Sequence, residues 1–201
     1  VERISRASAD QRAGRAGRLE PGVAIRLWRA EQTAALPAFT PPEILDADLS
    51  GLLLDCASFG VADPTTLRFL DPPPAAAVAE ASALLHSLGA RGDYGRITQT
   101  GEAMRKLSLP VRLAHMVAAA SDRRKAADIA VLLTERGVGG TAVDLDHRLS
   151  RLRTERGPRA EAARRMAERL GRVAASSEAN AGMPSPSTGA LLALAYPDRL
   201  A

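Results

Sequence analysis

The string Gln11-Arg12-Ala13-Gly14-Arg15-Ala16-Gly17-Arg18 carries the most specific chemistry in the chain. On a helix, Gln11, Arg15 and Arg18 stand at i, i+4 and i+7, which turns their side chains toward one target. Gly14 and Gly17 remove side-chain bulk where a backbone or a nucleotide comes close. Two guanidiniums and one neutral amide suit phosphoryl transfer: the cations meet charge growing on γ-phosphate oxygens, and the amide orients attacking water. The competing reading is a solvated, arginine-rich helix start in an arginine-rich protein.

Several elements must position that string. Ser8-Ala9-Asp10-Gln11 has the spacing of a capping box, which predicts a helix from about Ala9 to Ala16 closed by Gly17. The turn signal Glu20-Pro21-Gly22 follows, and then Val23, Ile25 and Leu27 alternate with Ala24, Arg26 and Trp28, predicting a strand. Residues 29 to 42 lack periodicity and read as an extended connector. Pro42 opens a helix whose apolar face includes Ile44, Leu45, Leu49, Leu52, Leu53 and Cys56, stopping near Gly60. A second helix runs from Ala75 to Leu88, with Gly89 at its C-cap. Gly92 to Thr98 reads as a small hairpin, and Thr100-Gly101-Glu102 begins a helix that ends before Pro110. Helix, helix, two short strands and helix is consistent with a winged-helix unit.

From Val111 onward the pattern is helical. Two helices carry Leu113, Met116, Val117, Ala120 and Ala127, Ile129, Ala130, Leu132, Leu133, and Gly137, Gly139 and Gly140 break the second. Residues 144 to 156 and 158 to 175 form two more, 176 to 187 a loop, and 189 to 195 a last short helix. In the long helix, Arg165, Arg169 and Arg172 lie about 100° from Met166, Leu170 and Val173 by the 3.6-residue period.

The chain has 201 residues and a formal charge of +4, and 25 of its 27 cations are arginine. Residues 1 to 30 carry +4, residues 31 to 147 carry −5, residues 148 to 172 carry +6 with nine Arg, and the remainder carries −1. Two basic blocks therefore flank an acidic middle. Aromatics are 3% of the chain, which disfavours a strand-rich sandwich. The single cysteine, Cys56, excludes an internal disulfide and a Cys-rich zinc site, and it reads as a small buried hydrophobe. His86, His115 and His147 are too far apart to suggest metal ligation, so no metal site is expected. Tyr94 and Trp28 are candidate base-stacking platforms, but packing with a wet polar tip is the expected role of both. No apolar run is long enough to span a membrane, so a soluble, cytoplasmic protein is expected.

Arg3-Ile4-Ser5-Arg6-Ala7-Ser8-Ala9-Asp10 leading into the Gln-Arg-Ala-Gly-Arg-Ala-Gly-Arg string resembles motif VI of the DEAH-box superfamily 2 helicases. Pro42-Glu43-Ile44-Leu45, Leu49 to Leu54, Phe59 to Pro64, Phe69 to Pro73, Leu84 to Ala90, Thr98 to Gly101 and Pro110 to Met116 continue the resemblance in order. In detail it is similar to the bacterial HrpB type, including Leu19-Glu20-Pro21-Gly22 and Tyr196-Pro197-Asp198-Arg199-Leu200.

The resemblance implies a mainly α chain: the end of a second RecA-like α/β domain (residues 1–30), a winged-helix domain (31–110) and a helical, ratchet-like bundle (111–201). It implies an ATP-dependent RNA helicase in which Arg15 and Arg18 act as arginine fingers and Gln11 positions nucleotide and water. ATP and single-stranded or structured RNA would be the partners, and Mg²⁺ ligands would lie on a first RecA-like domain. The sequence holds no G-x-x-x-x-G-K-[ST], D-E-x-H or S-A-T string, so this stretch alone is expected to be inactive on ATP. Arg165, Arg169 and Arg172 are the candidates for tracking an RNA backbone. The alternative is a non-catalytic winged-helix and helix-bundle module that binds nucleic acid or protein.

Overall fold

The computed structural model describes residues 4–175 and 185–199. Ten α-helices account for most of them, so the expected mainly α class holds. The chain divides into two compact units: residues up to Ala47 with Leu70–Pro72, and Asp48–Phe69 with the residues from Pro73 onward.

The first unit holds α1 (Arg6–Gly14) and α2 (Ala30–Ala34). Helix α1 starts one turn before the predicted start, because the cap is Ser5 rather than Ser8. The Ser5 hydroxyl accepts from Ser8 N at 3.1 Å, and Arg6 N and Ala7 N donate to the Pro37 and Ala38 carbonyls at 2.8 and 3.0 Å. Three N–H groups of the first turn are thus satisfied, which is what a helix start requires.

The segment 23–28 forms no ladder among the described residues, contrary to the predicted strand. Its alternation survives, but Val23, Ile25 and Leu27 are 84%, 80% and 93% exposed. A strand needs a paired neighbour and a covering layer, and this unit supplies neither. Within the predicted extended connector, α2 forms because Gln32 Oε1 accepts from Arg29 N (3.1 Å) and Trp28 Nε1 donates to Thr33 Oγ1 (3.1 Å).

In the second unit, α3 (Ser50–Ser58), α4 (Ala75–Ser87) and α5 (Gln99–Arg105) pack together through Leu53, Leu54, Ala81, Leu85 and Met104. The helix predicted from Pro42 is broken: a single 3₁₀ turn covers Glu43–Leu45, and α3 begins only where Asp48 Oδ1 accepts from Ser50 N (2.8 Å). The predicted hairpin reduces to one antiparallel bridge, Arg91 to Ile97, around a tight turn with Tyr94 at φ +60°. Arg91 pins that turn, donating to Ser82 Oγ, the Gly95 carbonyl and the Ala62 carbonyl. Thr98, not Thr100, caps α5 by accepting from Gly101 N.

Five further helices follow: α6 (Val111–Ala119), α7 (Arg123–Thr134), α8 (Leu145–Thr154), α9 (Pro158–Ala175) and α10 (Thr188–Ala195). Helix α7 is buried nearly all round, from Ala126 to Leu132, and is packed by α6, α8 and α9. Helix α9 packs chiefly against α7 and buries Ala160, Ala163, Ala167, Leu170 and Ala174, a face of mostly small residues that admits close approach. Met166 and Val173, assigned to the apolar face from sequence, sit at its half-buried margin. The predicted loop is described only from 185 onward; its residues 176–184 lie outside the described residues.

Candidate nucleotide and nucleic-acid interface

The motif string occupies the C-terminal end of α1 and the turns beyond it. Gln11 lies in the last helical turn, and Arg15 is the C-cap with right-handed helical φ/ψ (−73°, −25°). These two therefore share one face as the spacing predicts. Arg18 lies past the helix end, so helical register does not set its direction as i+7 spacing within a helix would. All three side chains are exposed and have no hydrogen-bond or ion-pair partner among the described residues. Asp10, their neighbour, is paired with Arg26 and is not available to neutralise them.

The glycines divide by role. A Cβ at Gly14 would meet nothing within 4 Å, and one at Gly17 would make only ordinary contacts at 3.8 Å. Internal packing therefore does not demand glycine at either position; the open room faces outward. Gly22 is the tight position, where a Cβ would run into the Ala16 carbonyl. In sequence Gly22 stands out only as part of a Pro-Gly turn, and that turn signal is the one clue to it.

The second basic block separates into inward and outward arginines. Arg164 Nη1 donates to the Leu152 and Glu155 carbonyls at 2.7 and 2.8 Å and closes the C-terminal end of α8. Arg148 Nη2 donates to the Leu132 and Val138 carbonyls at 2.8 and 3.3 Å. These two act as helix-end caps. Arg165, Arg169 and Arg172 are exposed on α9, and Arg165 faces Glu161 at 3.8 Å. Asp128 is the buried acid of the bundle, with Arg153 and Arg124 at 3.6 and 3.8 Å. Burial raises its carboxyl pKa, against the pull of both guanidiniums.

The remaining candidates resolve simply. Trp28 is half-buried with its indole N–H bonded, as expected, whereas Tyr94 is 92% exposed and is not a packing residue. His115 Nδ1 lies 2.8 Å from the Leu194 carbonyl, and His86 and His147 are exposed. Cys56 is buried, and burial raises its thiol pKa. Among the described residues no group of three or more His, Cys, Asp or Glu could hold a metal ion, and no helix is long and apolar enough to cross a membrane.

No protein-family model matches the chain. Individual proteins do. It is 42% identical over 138 residues to the ATP-dependent RNA helicase HrpB of Escherichia coli, covering 67% of this chain and 17% of that protein. It is 35% identical over 127 residues to the ATP-dependent RNA helicase HrpA homolog of Haemophilus influenzae, covering 60% and 10%. It is 39% identical over 114 residues to the probable ATP-dependent RNA helicase DHX34 of Mus musculus, covering 57% and 10%. The homologues of this chain are thus DEAH-box ATP-dependent RNA helicases. Among solved structures, the Escherichia coli DEAH/RHA helicase HrpB matches with a TM-score of 0.76 at 35% identity, and the E. coli DExH-box NTPase HrpB with 0.71 at 36%. Each match covers 98% of this chain and 24% of the other. The chain spans between 10% and 17% of the length of the relatives it matches in sequence.

Proposed function

We propose that this chain serves an ATP-dependent RNA helicase, supplying motif VI together with a winged-helix region (31–110) and a helical, ratchet-like region (111–201) that close over RNA. The observation that supports it most is the end of α1, where Gln11 and Arg15 share a face, Arg18 follows, and no protein group among the described residues neutralises them. Exposed, unpaired guanidiniums fit a nucleotide phosphate. Arg15 and Arg18 would stabilise charge developing on the γ-phosphate oxygens, and the Gln11 amide would orient the attacking water. ATP, when bound, supplies the phosphoanhydride whose cleavage drives movement along RNA. The ligands of Mg²⁺ are assigned to a first RecA-like domain outside this sequence.

The test is Arg18→Ala in the helicase that contains this sequence. RNA-stimulated ATP turnover is expected to fall by roughly 10³-fold, the scale on which arginine fingers act. Unchanged turnover would sink the assignment. The exposed arginines also permit a second reading, a non-catalytic nucleic-acid or protein-binding module. In that case the 201-residue chain binds RNA with strong salt dependence while Arg18→Ala leaves turnover intact.

A further inference from the structure

The loop between α7 and α8 holds three glycines in the left-handed region, Gly137 (φ 75°), Gly139 (φ 69°) and Gly140 (φ 77°). The left-handed backbone favours glycine at all three positions, and Gly139 is also sterically closed, since a Cβ there would press on Leu132 Cδ2 at 2.6 Å and the Arg148 carbonyl at 2.9 Å. The other two face guanidiniums. A Cβ at Gly137 would stand 3.0 Å from Arg159 Nη1, and one at Gly140 would stand 3.2 Å from Arg151 Nη1 and 3.4 Å from its Cζ. Arg151 comes from α8 and Arg159 from α9, so two helices deliver two cationic heads onto one short turn.

Neither head is neutralised. Arg151 and Arg159 are exposed and their guanidiniums have no hydrogen bond or ion pair among the described residues, and the same holds for the Arg136 guanidinium in the loop itself. The Glu155 carboxylate is engaged by the turn's backbone, accepting from Gly139 N at 3.1 Å. Elsewhere in the bundle Arg165 has Glu161 and Arg124 has Glu168 as ion-pair partners, whereas Arg169 and Arg172 are unpaired among the described residues, as Arg151 and Arg159 are. The turn is also fixed from beneath, because Arg148 donates to the Leu132 and Val138 carbonyls on either side of its start. The result is a firm backbone turn carrying unpaired planar cations, with no side-chain bulk on Gly137 or Gly140.

We propose that the Gly137–Gly140 turn with Arg151 and Arg159 is a contact site for the phosphodiester backbone of a single RNA strand. Guanidiniums bind phosphate oxygens in a planar, two-point geometry, and side-chain-free backbone lets a strand lie close. This rests on the RNA-binding part of the proposed function, and it adds the α7–α8 turn, where cationic heads from two helices converge, to the Arg165, Arg169 and Arg172 face of α9.

The experiment measures binding of a fluorescein-labelled oligouridylate to the 201-residue chain by anisotropy over a salt series. The Arg151→Gln/Arg159→Gln variant is expected to bind severalfold more weakly, with the log–log salt slope reduced by about 1.4, roughly 0.7 for each phosphate that is no longer neutralised. Arg151→Lys/Arg159→Lys is expected to keep the slope and lose part of the affinity. The triple Gln variant at Arg165, Arg169 and Arg172 is expected to change less than the double variant. Thermal melts should match the wild type, because both heads are exposed. Unchanged affinity and slope in the double Gln variant overturn the proposal, as does a wild-type chain that binds no RNA. Polyglutamate binding as tightly as the oligouridylate, or displacement of the strand by inorganic phosphate at matched ionic strength, overturns it in favour of an acidic peptide or a small anion. The helicase reading is separable: Arg18-dependent ATP turnover with RNA binding indifferent to Arg151 and Arg159 keeps that reading and removes this site.

Discussion

Arg112 grips Asp198 through two parallel hydrogen bonds, Nη1 to Oδ1 at 2.6 Å and Nη2 to Oδ2 at 3.0 Å. The same guanidinium donates to the Ala195 carbonyl at 3.2 Å and lies 5.3 Å from the Tyr196 ring centroid. One side chain at the start of α6 thus closes the C-terminal end of α10. The hydrogen bonds from Arg112 hold the Asp198 carboxyl below its usual pKa. A depressed carboxylate contributes stability that is present above its unfolded pKa, about 3.9, and lost as the pH falls through the folded value. Asp198→Asn is therefore expected to lower the melting temperature at neutral pH, with the difference from wild type vanishing in acid. A pH-independent difference would show that the charge is irrelevant.

Asp128 has the opposite sign. Its carboxyl pKa is raised by burial despite Arg124 and Arg153. A raised carboxylate costs stability once the pH exceeds the unfolded value, and that cost is absent below about pH 3.9. Asp128→Asn is expected to melt higher than wild type at neutral pH and equally in acid. A lower melting temperature at neutral pH would mean that the two guanidiniums outweigh burial.

Gly14 and Gly139 should separate function from folding. Gly14→Ala meets nothing within 4 Å and ends a helix, so it is expected to raise stability by about 0.5 to 1 kcal/mol. If the space outside it belongs to a nucleotide, the same change lowers ATP turnover in the helicase that contains it. Gly139→Ala forces a left-handed φ and a clash, and is expected to cost about 1 to 3 kcal/mol by chemical denaturation.

Ser5→Ala removes the hydroxyl that accepts from Ser8 N and from Thr40 Oγ1. Loss of such a cap costs about 1 kcal/mol. Hydrogen exchange of the Arg6–Gly14 amides should accelerate while α7 amides keep their protection; uniform acceleration would indicate a global effect instead.

The helices were largely legible because their signals are local. Pro158 at the start of α9, the spacing of Leu113, Met116 and Val117, and the break at Gly137 to Gly140 are all set by residues within a turn of one another. Two helix starts differed where two candidate caps competed. Ser5 won over Ser8 because the Pro37 and Ala38 carbonyls receive the freed N–H groups, and Thr98 won over Thr100 because its hydroxyl both donates to the Gly89 carbonyl and accepts from Gly101 N. The strand at 23–28 failed for a different reason. Alternation specifies a face, while a ladder needs a second segment that a single pattern does not name.

By itself the sequence determined the motif, the spacing of Gln11 and Arg15, the arginine-rich block and the order of the helices other than α2. Only the tertiary structure decided what each guanidinium does. Arg148, Arg164 and Arg112 turn to the carbonyls of distant helix ends, while Arg151 and Arg159 are left bare on a glycine turn. Periodicity and capping act over about four residues, whereas an arginine's partner is whatever acceptor the packing of other helices brings within about 3 Å.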